Sequence, residues 1–300
     1  MACSSPFCVI NPHYKALAKQ YRIRVRCFSS EPDYRIIVPC GHCMDCLKKR
    51  QQNWFLRAHK IYKTRHYRPK DCYFCTFTLK PEVYAEAVEK PYLFIRRFID
   101  RLRKHSSLKG RKLKFDYLFV LEFADGVTAR KRGLPSTHRM HFHAIFFGCP
   151  LTCQIVRKCW SEHYGRAQVE RLKGEEGVRY VLKYMTKDRK ACQGVIDSLN
   201  QKKNGKFFCS HGFARLSPEE ALRLRKYMAG GCKSFFSYPV NNYLCSIPRY
   251  FKNQCFSKEE IDDYHKKYVP DLLARSIKRR FPYESEEHRR LILQSFLTWL

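Results

Sequence analysis

An α+β fold, with a mostly antiparallel central sheet flanked by helices, is what the middle of this chain predicts, on three observations. Runs rich in aromatic and β-branched residues alternate with segments of helical period from Cys72 to Lys187. Two of the strand-like runs follow each other with only a loop between them, as in an antiparallel hairpin. The resulting order, β-α-β-β-α-β-α, is that of a sheet with helices packed on it.

Each element has its own local reason. Residues 1–40, with Pro6, Pro12, Pro32 and Pro39, read as irregular and lead into a cysteine cluster and a helix from about Asp45 to His66. Cys72–Leu79 reads as a strand stopped by Lys80-Pro81. From Pro91 to about His105, Leu93, Phe94, Phe98 and Leu102 recur at helical spacing with arginines on the other face. Phe115–Phe123 and Arg139–Phe147 are strand-like and are joined by a basic loop. Arg130, Lys131 and Arg132 in that loop, with Arg139 beyond it, are candidate phosphate contacts. A helix at Thr152–His163, a strand at Ala167–Leu172 and a helix at Glu175–Lys187 complete the pattern. Farther on, Ser217-Pro218-Glu219-Glu220 and Ser257-Lys258-Glu259-Glu260 have capping-box spacing, so each should begin a helix. Three regions are expected: an N-terminal segment with its helix (1–70), the sheet-bearing core (71–190) and a basic, mainly helical C-terminal region (191–300).

Charge narrows the function. Lys plus Arg number 59 against 27 Asp plus Glu, a formal net charge of +32, spread along the chain rather than held in a tail. Such a charge repels itself unless a polyanion offsets it, and nucleic acid is the first candidate. No run of about 18 apolar residues and no signal-peptide core is present, so a membrane protein or a secreted one is not expected. The 16 cysteines are scattered through strand-like and helix-like segments and read mostly as reduced thiols.

The chemistry concentrates in two places. In Arg139–Phe147 the side chains alternate, so His141 and His143 share one face of the strand. Hydrogen-bonded structural histidines and metal ligands both fit that pattern taken alone. Glu122 ends an otherwise apolar run, Leu118–Phe123, where a buried carboxylate needs a cation. If the two strands are hairpin partners, Glu122 approaches His141 and His143 and forms a two-histidine, one-carboxylate site with open positions. A rim salt bridge to an arginine is the plainer alternative. Second, Tyr180 and Tyr184 lie four apart on one helical face, roughly 6 Å apart along the axis. Each is followed three residues later by a lysine, Lys183 and Lys187, able to hold a phosphate or favour phenolate. An amphipathic helix with core tyrosines and solvated lysines would show the same spacing.

Thr76-Phe77-Thr78-Leu79, then Glu122 with His141-Phe142-His143, then Tyr180-Val181-Leu182-Lys183-Tyr184, resemble the three ordered motifs of the HUH endonucleases. Within that superfamily they resemble the replication initiators of gokushovirus-type microviruses, as does the prefix Val38–Cys46. The resemblance implies an RRM-like sheet with Mg²⁺ or Mn²⁺ at Glu122, His141 and His143, and tyrosine nucleophiles at Tyr180 and Tyr184. It also implies nicking of single-stranded phage origin DNA through a 5′-phosphotyrosine intermediate, later religation, and work alongside a host helicase and DNA polymerase in the cytoplasm of the bacterial host cell. An HUH transposase or plasmid initiator would share the motifs. A hydrolase using water would form no adduct, and a zinc-stabilised single-strand binding protein would need none of this chemistry.

Cys40-x-x-Cys43-x-x-Cys46 has the spacing of thiolates sharing one tetrahedral ion, and structural Zn²⁺ is the expected occupant. An iron–sulfur cluster would want a cysteine where Arg50 stands. Cys3, in a Cys-x-x-Pro opening that similar phage proteins share, is the candidate fourth ligand, with Cys8 and His42 as alternatives.

Overall fold

The computed structural model describes residues 7–10, 12–30, 35–41, 43–64, 68–105, 109–110, 113–124, 131, 133, 138–183, 206–229, 237–240, 243–261, 263, 274, 278, 283 and 285–290. In chain order its elements begin with β1 (Phe7–Ile10), α1 (Pro12–Gln20), β2 (Arg35–Val38) and α2 (Met44–Thr64). They continue with β3 (Tyr73–Thr78), α3 (Pro81–Glu89), α4 (Pro91–Arg103), β4 (Asp116–Phe123) and β5 (Met140–Phe147). After these come α5 (Cys153–Ser161), β6 (Ala167–Arg171), α6 (Gly174–Lys183), β7 (Phe207–Cys209), α7 (Pro218–Ala229) and α8 (Arg249–Cys255). The chain divides into two compact units, one of Met1–Lys49, Leu216–Pro239 and Arg249–Leu300, the other of Arg50–Arg215 and Val240–Pro248.

The larger unit holds a five-stranded sheet in the order β6-β3-β5-β4-β7, antiparallel at every pairing. Because β3 and β4 both run opposite to β5 between them, they are parallel to each other, and α3 and α4 make the crossover that parallel strands require. One face carries Tyr73, Cys75 and Phe77 of β3, Phe119, Leu121 and Phe123 of β4, and Met140, Phe142, Ala144 and Phe146 of β5. Against it pack Phe94, Phe98 and Leu102 of α4 and Trp160 of α5. Trp160, fully buried, lies 4.5 Å from the Phe77 ring and 5.1 Å from that of Phe98, and its Nε1 donates to the Thr78 carbonyl at 2.9 Å. Gly165 has φ +143° and runs so close to β3 that a Cβ would come within 2.7 Å of Lys80 N and Thr78 O; no other residue permits that turn into β6.

The opposite face carries Leu118, Val120 and Glu122 of β4 beside His141, His143, Ile145 and Phe147 of β5. On it lie Val178, Val181 and Leu182 of α6, all fully buried. Toward the β7 edge, Trp54 of α2 stacks on Phe207 at 4.7 Å, and Arg57 donates to the Phe213 carbonyl at 3.1 Å.

In the smaller unit, β1 pairs antiparallel with β2 from Phe7↔Val38 to Ile10↔Arg35. This region, read as irregular from its prolines, therefore contains a strand pair and a helix between them. Both capping boxes close as their spacing predicts. Ser217 Oγ accepts from Glu220 N at 3.2 Å while the Glu220 carboxylate accepts from Ser217 N at 2.7 Å, and Ser257 and Glu260 repeat the same pair of bonds. Arg225 of α7 donates to the Cys255 carbonyl at 2.8 Å and pairs with Glu260.

Candidate catalytic site

The sheet register sets the site. On β4 and β5, Glu122 lies opposite His141 and Val120 opposite His143, while on β3 Thr76 lies opposite His143 and Thr78 opposite His141. Residues opposite each other share a face, so the carboxylate, both imidazoles and both hydroxyls stand on one side of the sheet.

Glu122 reaches diagonally to His143, whose Nε2 lies 2.6 Å from Oε2, with both residues about 95% buried (4% and 5% exposed). Thr76 Oγ1 is 3.2 Å from the other ring nitrogen, Nδ1. If the hydroxyl donates to Nδ1, the imidazole proton resides on Nε2 and is donated to the carboxylate, so both ring nitrogens are satisfied in the buried setting. Phe74 stacks on the imidazole, its ring 6.3 Å away and 8° from parallel. His141 is half-buried. Burial pushes its pKa below the usual 6.5, against the opposing pull of the Glu122 charge.

The tyrosine helix α6 turns Val178, Val181 and Leu182 inward and leaves Tyr180 half exposed (50%). The Tyr180 ring meets the edge of Phe74 at 5.6 Å, so Phe74 touches both His143 and Tyr180. Lys183 is exposed at the last described turn of the helix, and Tyr184 and Lys187 lie outside the described residues. Of the four basic residues expected to meet phosphate, Lys131 is exposed, while Arg130 and Arg132 lie outside the described residues. Arg139 is half-buried, donates to the Leu79 carbonyl at 2.7 Å and sits 4.7 Å over the Tyr84 ring. The site on the sheet is thus closed between Glu122 and His143 and more open toward His141.

Cys40, Cys43 and Cys46 bring their three sulfurs within 4.8 Å of one another, a group able to hold a metal ion such as zinc; no other set of three among the described residues converges so closely. Cys43 N donates to Cys40 Sγ at 3.2 Å, and the Cys40 and Cys46 sulfurs are 4.0 Å apart. Of the fourth-ligand candidates, Cys8 is exposed on β1, and Cys3 and His42 lie outside the described residues.

Two contributors escape a reading from sequence. Phe74 looks like any aromatic strand residue until the register places it between His143 and Tyr180. Thr76 belongs to the opening motif, but only pairing with β5 gives its hydroxyl a partner. Alternation along β3 carries a faint signal, because Phe74, Thr76 and Thr78 all fall on the face of the histidines.

Residues 72–189 match the family model for replication-associated proteins of the ORF2 type. The replication-associated segment covers less than half of the 300-residue chain, and it is consistent with a replication initiator. It contains β3 through α6, hence Glu122, both histidines and both tyrosines, while the cysteine cluster and β7 lie outside it. No curated protein and no solved structure matches the chain. Among the described residues no helix is long and apolar enough to cross a membrane.

Proposed function

We propose that the chain is a replication initiator of the HUH type, acting in a bacterial host on the single-stranded origin DNA of a small phage. The observation that carries this reading is the buried Glu122–His143 pair, with an exposed tyrosine one aromatic ring away, inside the replication-associated segment. A carboxylate and two imidazoles with open positions are a donor set for a divalent ion. Glu122, His143 and His141 would hold Mg²⁺ or Mn²⁺, which supplies charge stabilisation to the scissile phosphate.

The residues themselves do the rest. His143 must release its Nε2 proton to serve as a ligand, with Thr76 as the second partner that holds the ring in place. Tyr180 Oη attacks phosphorus, forming the phosphotyrosine bond as the bond from phosphorus to the 3′ oxygen breaks; the phenol proton is lost and the departing oxygen gains one. Lys183 offers a cation to the phosphate beside the attacking tyrosine. Tyr184 provides the second nucleophile, so one tyrosine can hold a strand while the other cuts, and religation reverses the step without ATP. The free 3′-hydroxyl serves a host polymerase, with a host helicase opening the duplex. Lys131 and Arg139, with Arg130 and Arg132, contact phosphate, and Zn²⁺ on Cys40, Cys43 and Cys46, with Cys3 as fourth ligand, stabilises the N-terminal segment.

The test uses end-labelled single-stranded oligonucleotides tiled across the replicon, incubated with protein and Mn²⁺ and resolved on a denaturing gel. The expected result is a protein–DNA adduct that EDTA prevents, retained in at least one of Tyr180→Phe and Tyr184→Phe and lost in the double variant. Cleavage without an adduct would instead mean hydrolysis by water, and binding without cleavage would favour a single-strand binding protein.

A further inference from the structure

The tyrosine helix is held at its N-terminal end by a charged clamp on α2. Glu175, in the first turn of α6, directs Oε1 to Lys63 Nζ at 2.5 Å and Oε2 toward His59 Nε2 at 3.2 Å. The second contact is in ion-pair range but is not aligned as a hydrogen bond. One turn later on α6, the Arg179 guanidinium lies 4.0 Å over the ring of Phe55, which in turn sits 5.3 Å from His59. Phe55, His59 and Lys63 are four residues apart on α2, and Glu175 and Arg179 are four apart on α6, so a stripe of one helix faces a stripe of the other in antiparallel sense.

Glu175 is only 20% exposed at its side chain and His59 15%. Burial lowers the His59 pKa, while the carboxylate raises that of Lys63, so near neutral pH the clamp is a carboxylate–ammonium pair with a neutral imidazole beside it. Such a half-buried pair fixes rotation and axial position more than it adds stability. Apolar contacts of Val178, Val181 and Leu182 bury the helix but tolerate sliding, whereas the pair permits one setting. That setting fixes where Tyr180, next after Arg179, stands relative to Phe74 and the Glu122–His143 pair.

We infer that Glu175 is a positioning residue for the nucleophilic tyrosine, acting through Lys63 and His59 of α2, and that this region of α2 belongs to the catalytic apparatus although it precedes the replication-associated segment. The inference rests on the tyrosine-nicking reading above.

Glu176 gives the control, because it lies in the same first turn and is exposed to a greater degree on the outer side of α6, so Glu175→Gln and Glu176→Gln change the helix-terminal charge alike but only the first breaks the clamp. In single-turnover adduct formation on the full chain, Glu175→Gln is expected to slow the rate constant about 10- to 100-fold, the scale of a misplaced reacting group, with oligonucleotide Kd unchanged. Glu176→Gln should leave both unchanged. The exchanged pair Lys63→Glu with Glu175→Lys should recover most of the rate lost in either single variant. Amide hydrogen exchange across 177–183, read on the same proteins without DNA, should quicken in Glu175→Gln alone. Equal rates and equal exchange for the two glutamine variants would overturn the inference. If the wild type forms no adduct, the nicking reading fails, and the exchange data still decide whether the clamp holds α6.

Discussion

Glu122→Gln separates the cost of burying the Glu122–His143 pair from its use. The carboxylate is almost wholly removed from water (4% exposed) and its partner lies 2.6 Å away, so the native arrangement sets a charge-assisted hydrogen bond, worth about 1.5–3 kcal/mol, against the desolvation of a buried carboxylate. Glutamine keeps the shape and an oxygen acceptor for Nε2–H while removing the charge. The two effects nearly cancel, and the metal-free variant is expected to melt within about 3 °C of the wild type, equivalent to roughly 1 kcal/mol. Divalent-ion binding behaves differently, because the variant lacks the one anionic ligand of the set. At a Mn²⁺ concentration about 100 times its Kd, the wild type gains about 2.7 kcal/mol from linkage. For a unit of this size that raises Tm by about 5–11 °C. Differential scanning fluorimetry across a Mn²⁺ titration, on protein purified without chelator, should show that rise in the wild type and none in Glu122→Gln. An equal rise in both proteins would refute the assignment of Glu122 as a ligand, and no rise in either would refute the ion site as a whole.

The remaining predictions concern pH, the cysteine cluster and the core. Burial holds the pKa values of His141 and His59 below 6.5, so below that value the unfolded chain binds more protons and stability falls as pH drops from 6.5 toward the folded pKa. Metal-free Tm should therefore decline between about pH 7 and 5.5, less steeply in His141→Gln; an unchanged slope in that variant would remove His141 from the explanation. Elemental analysis should find about one zinc per chain, lost in Cys43→Ser, from the tetrahedral thiolate site that three converging sulfurs support; iron in place of zinc would contradict this. Trp160→Ala removes the side chain at the centre of the α4–α5 face and should cost about 3–5 kcal/mol in urea unfolding, and a loss under about 1 kcal/mol would mean that the core is packed otherwise.

Most of the sheet is legible in the sequence because periodicity there is unambiguous. β3 to β6 and α4 to α6 begin within about two residues of where the patterns set them, since aromatic and β-branched runs leave few alternatives. The β1–β2 pair is not legible: each strand has four residues, and each owes its conformation to a partner more than twenty residues away. β7 has the same origin, three residues that become a strand by pairing with β4, in a region whose caps and charges suggest helix. α3 is hidden by Pro81, which reads as the end of a strand but also suits the first turn of a helix. At the site, hairpin pairing is enough to bring Glu122 to the histidines, yet the pattern treats His141 and His143 alike. Only the three-dimensional register shows that the carboxylate bonds the diagonal His143, which Thr76 and Phe74 hold from β3. The Glu175 clamp is equally invisible, because its partners come from a helix more than a hundred residues earlier.

The central claim is that a tyrosine of α6 or its continuation becomes covalently joined to DNA. The most direct measurement is tandem mass spectrometry of the protein after reaction with origin oligonucleotide and Mn²⁺, with the DNA trimmed by nuclease and the protein digested. The account predicts a nucleotide attached through phosphate to Tyr180 or Tyr184. Cleaved DNA with every tyrosine unmodified would contradict it.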